Sequence, residues 1–160
     1  MKALNTLLAS LMLGTLLGAA PVRAEEAIHV MDPWVRAAPP VAQTQAAYMT
    51  LHNAGTKSKS LVGAKSPLFS KVELHETVQR EGKSQMQAKS TVPIAPGAQV
   101  QLAPGGLHIM LIGPQKPLQP KDWVPITLKF ADGTELPVAA EVREAVGGNK
   151  SQENHEHHNH

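Results

Sequence analysis

The sequence predicts an all-β domain, an antiparallel sandwich or barrel, and three observations carry that expectation. Nine short apolar or alternating runs follow one another, turn residues interrupt them at nearly every boundary, and after residue 24 no run of helical periodicity reaches twelve residues. The 160-residue chain holds 13 Pro and 12 Gly, which suits many tight turns. About 120 residues behind an export segment are enough to fold around one core.

Taken in order, the chain opens with Lys2 and an apolar run from Leu7 to Ala20, closed by Val22-Arg23-Ala24, with small residues where a signal peptidase reads. Residues 1–24 are expected to be a cleaved signal peptide and 25–146 the domain. The competing expectation is an uncleaved anchor, since Ala3 to Ala20 carries no charge and is just long enough to span a bilayer. Strands are expected at Ile28 to Met31, Ala46 to His52, Ser60 to Lys65, Lys71 to Thr77, Gln85 to Ser90, Gln99 to Leu102, Leu107 to Ile112, Val124 to Phe130 and Leu136 to Val142. Between them stand Pro39-Pro40, Asn53-Ala54-Gly55, Glu81-Gly82, Pro96-Gly97, Pro104-Gly105-Gly106, Gly113-Pro114 and Asp132-Gly133, each a turn signal. From Gly147 the pattern stops, so 147–160 reads as a flexible His-rich C-terminal tail.

Composition then narrows the chemistry. There is no Cys, which excludes disulfides, thiolate-bound zinc or copper, iron–sulfur clusters and a lipidated cysteine. Eight His and six Met remain as soft or borderline metal donors. The formal charge of +2 hints at an acidic partner, but residues 1–24 take Lys2 and Arg23 with them and no acid, leaving thirteen basic against thirteen acidic residues. Neither nucleic acid nor stable membrane insertion is expected of the mature chain. Enzyme motifs are missing: His75-Glu76 starts like a zincin, yet Gln79 stands where the second His belongs. No nucleophile elbow, P-loop or dinucleotide fingerprint occurs, so no enzymatic activity is expected.

The informative segment is Leu107-His108-Ile109-Met110-Leu111, where strand alternation sends His108 and Met110 to the face opposite Leu107, Ile109 and Leu111. Upstream, a hairpin centred near Arg80 and Glu81 would make His75 and Met86 rough cross-strand neighbours. Two imidazoles and two thioethers, all uncharged, favour Cu(I) over harder ions. Each residue alone also has an ordinary structural reading, as packed Met or satisfied His.

His75, ten residues, Met86, twenty-one residues, then His108-Ile109-Met110 resembles the signature of the periplasmic copper chaperones called PCu(A)C. Asp32-Pro33-Trp34-Val35-Arg36, Ala46-Ala47-Tyr48-Met49, Leu74-His75-Glu76 and Pro104-Gly105-Gly106-Leu107-His108 look similar too, and the likeness spans about residues 28–142. It implies a cupredoxin-like antiparallel β-sandwich or barrel of Greek-key type. It implies Cu(I) bound by His75, Met86, His108 and Met110. It also implies delivery to the binuclear copper centre of cytochrome c oxidase, with the copper-binding subunit or its assembly factors as partners.

The tail residues His155, His157, His158 and His160 offer nitrogen donors suited to Cu(II), Ni or Zn, and are expected to form a second metal site. His29, His52 and Met49 are read as structural, although alternation puts His29 and Met31 on one face in a repeat of the His-x-Met pattern. Trp34 and Trp123 are expected in the core. The expected activity is binding and transfer, with thiolate acceptors providing the downhill direction and acid competing for the imidazoles. The alternatives are a copper or zinc scavenging protein that relies on its tail, and a metal-free adhesion-type β-sandwich.

Overall fold

The computed structural model describes residues 28–144. The signal segment, residues 147–160 and the four tail histidines lie outside the described residues. Ten strands and no helix occur among the described residues: β1 (Ile28–Arg36), β2 (Thr44–Asn53), β3 (Lys59–Lys65), β4 (Phe69–Arg80), β5 (Lys83–Ala88), β6 (Val92–Ile94), β7 (Gln99–Leu102), β8 (Leu107–Pro114), β9 (Trp123–Phe130) and β10 (Glu135–Arg143). The all-β expectation holds, and each of the nine expected strands has its counterpart. The tenth, β6, is only three residues long and contains Pro93, so it offers neither a run nor an alternation to read. It sits at one edge of the sheet, beside β3, where a proline costs least.

All ten strands belong to one sheet in the order β5-β4-β8-β2-β1-β10-β9-β3-β6, with β7 also paired to β2. The sheet is mixed, which corrects the purely antiparallel expectation. β1 and β10 run parallel through Trp34 opposite Glu141 and Arg36 opposite Arg143. Hydrophobic alternation reports which face a residue takes, not which way its neighbour runs, so the parallel pair left no mark in the sequence.

The sheet wraps one core to which strands from both of its flanks contribute. Val35, Leu51, Leu61, Ile94, Ile109, Leu111, Val124, Ile126, Leu128 and Val142 are all fully buried, and most stand at alternate positions of their strands. Met49 is buried as expected, whereas Trp123 is 62% exposed. Trp123 opens β9 opposite Glu141, on the face away from its buried neighbour Val124, so alternation from Val124 and Ile126 already argued against a core place. Trp34 is half-buried and packs on Tyr48.

Two local devices set the register around this core. Asn53, fully buried at the end of β2, donates from Nδ2 to the carbonyls of Lys57 (2.8 Å) and Ile94 (3.0 Å) and accepts from the Gly55 amide (3.1 Å). It ties β2 to the following loop and to β6 with its polar atoms satisfied, which is what burial of an amide demands. In β1 a bulge between Met31 and Trp34 inserts one extra residue, with Asp32 at φ 47° and its carboxylate accepting from Arg143 Nη1 at 2.6 Å. Asp tolerates the left-handed region. The bulge keeps His29, Met31 and Trp34 on the outer face while Ile28 and Val35 both reach the core.

Candidate metal centre

β4 and β8 place His75 directly opposite His108, and Glu73 directly opposite Met110. Cross-strand partners share a face, so all four side chains stand on the outer side of the sheet while Leu74, Ile109 and Leu111 fill the core. The imidazole rings of His75 and His108 have centroids 5.9 Å apart.

Met86 comes from β5, and the hairpin that carries it differs in register from the sequence expectation. The turn is Glu81-Gly82, both at positive φ (51° and 75°), the two-residue type I′ geometry that matches strand twist. Arg80 therefore pairs with Lys83, Thr77 with Met86, and His75 with Ala88. Met86 is the diagonal neighbour of His75 rather than its partner, because the centre lies one residue further along than the Arg80-Glu81 estimate. Alternation still leaves both on one face. Met86 is 63% exposed on an edge strand, so its thioether is free to turn toward the cavity it lines.

That cavity, about 440 Å3, is lined by Met86, Thr77, His108, Met110, Tyr48 and Arg36 among others. His75 does not line it; its ring packs against that of His108, which does. Tyr48 packs against His108 with centroids 6.4 Å apart and against Trp34 at 4.7 Å, walling the side toward β1.

The hydrogen bonds of the two histidines decide which nitrogen each can offer. His108 Nδ1 donates to the Gly106 carbonyl at 3.0 Å, so the neutral ring carries its lone pair on Nε2. Gly106 is held by a tight turn in which its amide donates to the Ala103 carbonyl (3.0 Å). Pro104 and Gly105, the latter at φ 82°, occupy the central positions as a type II turn requires. The same Gly106 carbonyl accepts the Thr77 amide at 3.1 Å, so one backbone oxygen ties the β4 strand to the His108 ring.

His75 Nε2 donates to Glu73 Oε2 at 3.0 Å. The Glu73 carboxyl is held below its ordinary range by its hydrogen bond from Lys71 and then by that from His75, so it acts as a carboxylate acceptor. His75 Nδ1 is then the lone-pair nitrogen, and it is buried without a hydrogen-bond partner. An unpartnered buried acceptor is costly, and a bound cation would satisfy it. Among the described residues no three His, Cys, Asp or Glu side chains gather in a metal-holding group, so a metal held by both histidines here would draw on thioether donors. Two imidazole nitrogens with free lone pairs beside two methionines fit a soft monovalent ion. Glu73, two residues before His75 on the same strand face, is placed there by alternation, but as a charged, hard oxygen donor it stands outside the soft donor set that composition singles out. The Gly106 carbonyl carries no side-chain signal at all.

Residues 28–142 match the family described as "Putative lipoprotein LpqE-like". The chain belongs to the LpqE-like family. It is 39% identical over 132 residues to the putative lipoprotein Lxx21020 of Leifsonia xyli subsp. xyli, covering 82% of this chain and 78% of that protein. Among solved structures it is similar to Cu(I)-bound DR1885 of Deinococcus radiodurans, with 35% identity, TM-score 0.58, and 79% and 85% of the two chains covered. It is also similar to the copper-bound PCuAC domain of PmoF2, with 27% identity, TM-score 0.62, and 74% and 94% covered. The fold is thus that of PCuAC domains, and both of these similar structures carry copper. The likeness read from the His and Met spacing is borne out at the level of family and fold. The family is described as one of lipoproteins, which suggests export, although this chain has no cysteine to carry a lipid.

Proposed function

We propose that this protein is a periplasmic copper chaperone that holds one Cu(I) through His75, Met86, His108 and Met110 and passes it to the binuclear copper centre of cytochrome c oxidase or to an assembly factor of that centre. The observation that carries the reading is that the bonds to Glu73 and Gly106 engage only one ring nitrogen of each histidine, leaving His75 Nδ1 and His108 Nε2 for a metal on the sheet face that also carries Met86 and Met110. The similar copper-bound structures support it, since one of them carries Cu(I).

Four neutral donors leave the ion its single positive charge, which a deep apolar site would penalise. This site meets that cost in two ways. It opens through the exposed Met86, and the Glu73 carboxylate sits behind His75. The same openness suits ligand exchange, in which incoming thiolates of an acceptor replace thioethers one at a time and hold Cu(I) more tightly. Binding needs both imidazoles neutral, so protons compete and affinity falls in acid. The tail histidines His155, His157, His158 and His160 belong to the reading as a Cu(II) site.

The test is anaerobic incubation of the Cu(I)-loaded protein with an apo copper-domain fragment of the oxidase, followed by the absorption of the thiolate–copper centre. Transfer by the wild type and its loss in Met110→Leu are expected. Retention of copper by the wild type in the presence of the apo fragment would overturn delivery and favour a storage role.

A further inference from the structure

A second imidazole–thioether cluster lies on β1 and β2, apart from the centre described above. His29 and His52 are direct cross-strand partners, with ring centroids 6.0 Å apart and planes 27° from parallel. Met31 follows two residues after His29 and is 39% exposed. The alternation that buries Ile28 puts His29, Met31 and His52 together on the outer face. The arrangement repeats that of the first centre, where His75 and His108 are direct partners 5.9 Å apart and Met110 follows two residues after His108.

The spacing is compatible with one shared ion. A metal about 2 Å from a coordinating nitrogen lies roughly 3 Å from that ring's centre, so two rings can share it at separations up to about 6 Å. His29 is exposed and His52 half-buried, so His29 has rotamer freedom to close the geometry. The register neighbours are uncharged: Thr50 stands opposite Met31 and Gln99 opposite His52. Asp32 is engaged by Arg143. A neutral set of two imidazoles and one thioether, with no carboxylate among the neighbours paired with it, selects a soft monovalent ion over zinc or calcium.

We propose that His29, His52 and Met31 form a second, shallow Cu(I) site. With three donors and open exposure it binds more weakly than the four-donor centre. Both sites lie on the outer face of β2, one beside Ala46, which pairs with Met110, and the other at His52. Six residues of strand separate them, about 20 Å, which is beyond the screening length at physiological salt. The two ions therefore load independently, and the protein carries more than one Cu(I) per domain before its tail is counted. The proposal does not depend on the ligands assigned to the first centre.

The experiment is an anaerobic Cu(I) titration of the full chain labelled with 13C at the methionine methyls, followed by NMR. The Met86 and Met110 methyls are expected to shift over the first equivalent, and the Met31 methyl with the His29 and His52 rings at higher ratios. In His29→Asn/His52→Asn the Met31 shift should be lost while the Met86 and Met110 shifts persist. A Met31 methyl that stays still through a several-fold excess of Cu(I), or that shifts equally in the double variant, would overturn the second site. Movement of Met31 with no movement of Met86 or Met110 would instead uphold the second site and overturn the function proposed for the first.

Discussion

Two adjacent glycines beside the candidate centre should respond differently to the same substitution. Gly105 sits at φ 82° with open space where a Cβ would stand, while Gly106 lies outside the left-handed region and would bring a Cβ only to 3.7 Å from the Ala103 carbonyl oxygen. Gly105→Ala therefore meets no clash but forces an L-residue into the left-handed region, at about 1–2 kcal/mol. The loss of unfolded-chain freedom returns about 0.4–1 kcal/mol. The net destabilisation is roughly 1 kcal/mol, about 4 °C in Tm for a domain of this size. Gly106→Ala carries only the favourable part and should be neutral or raise Tm slightly. The functional consequence follows from the Gly106 carbonyl, which accepts from His108 Nδ1. A strained turn in Gly105→Ala loosens that bond and lets the ring sample the tautomer with its proton on Nε2, which removes that nitrogen as a ligand and turns the lone pair toward the Gly106 side. The assay is thermal unfolding of the two variants, with 15N imidazole shifts of His108 to read the tautomer and Cu(I) competition to read affinity. Equal Tm changes in the two variants, or an unaltered His108 tautomer in a destabilised Gly105→Ala, would refute the reasoning.

Further outcomes are expected elsewhere. Glu73→Gln removes the charge that orients His75 without removing a ligand, and should lower Cu(I) affinity about tenfold, the low end for such supporting groups, with little change in Tm. Asn53→Ala deletes three satisfied hydrogen bonds at a buried site and should cost about 3 kcal/mol in urea unfolding. Gly113→Ala should be worse tolerated than Gly105→Ala, because φ is 64° and the new Cβ meets Ser70 Oγ; its midpoint in urea should fall further. The Asp132 carboxyl is lowered by its hydrogen bond from Lys59 and then by the Thr134 amide. A carboxyl held lower in the folded state than in the unfolded one stabilises above the unfolded range, and that stabilisation is lost as pH falls through the folded value. Asp132→Asn should thus be less stable than wild type at neutral pH, with the gap closing in acid, as urea midpoints across pH would report.

Much of this architecture was readable because alternation and turn chemistry act locally. Gln99–Leu102 was bounded by Pro96-Gly97 and Pro104-Gly105-Gly106, and its limits agree with β7. The expected strand at Lys71 to Thr77 fell short of β4 at both ends; at the C-terminal end Val78, Gln79 and Arg80 are paired in the hairpin without being buried. The Met86 register depended on which two residues sit at positive φ, and Glu81 gives no glycine-like signal for it. The parallel β1–β10 pair joins the first and last strands of the domain, and local pattern carries no information about such a long-range partner. At the candidate centre the side chains of His75, Met86, His108 and Met110 were legible, because alternation reports faces. What supports them was not, since Gly106 acts through its backbone and Glu73 through a bond that depends on rotamer. His29 and His52 read as structural until their register made them partners.

The central claim is that His75, Met86, His108 and Met110 hold Cu(I) as a set, and the most direct measurement is an anaerobic competition titration with a Cu(I) chelator. Wild type is compared with His75→Ala and Met110→Leu, the latter close in volume and expected to change stability by less than about 1.5 kcal/mol. The account predicts that both variants surrender copper at chelator concentrations where the wild type retains it, while their far-UV spectra match. Unchanged affinity in both would contradict the site.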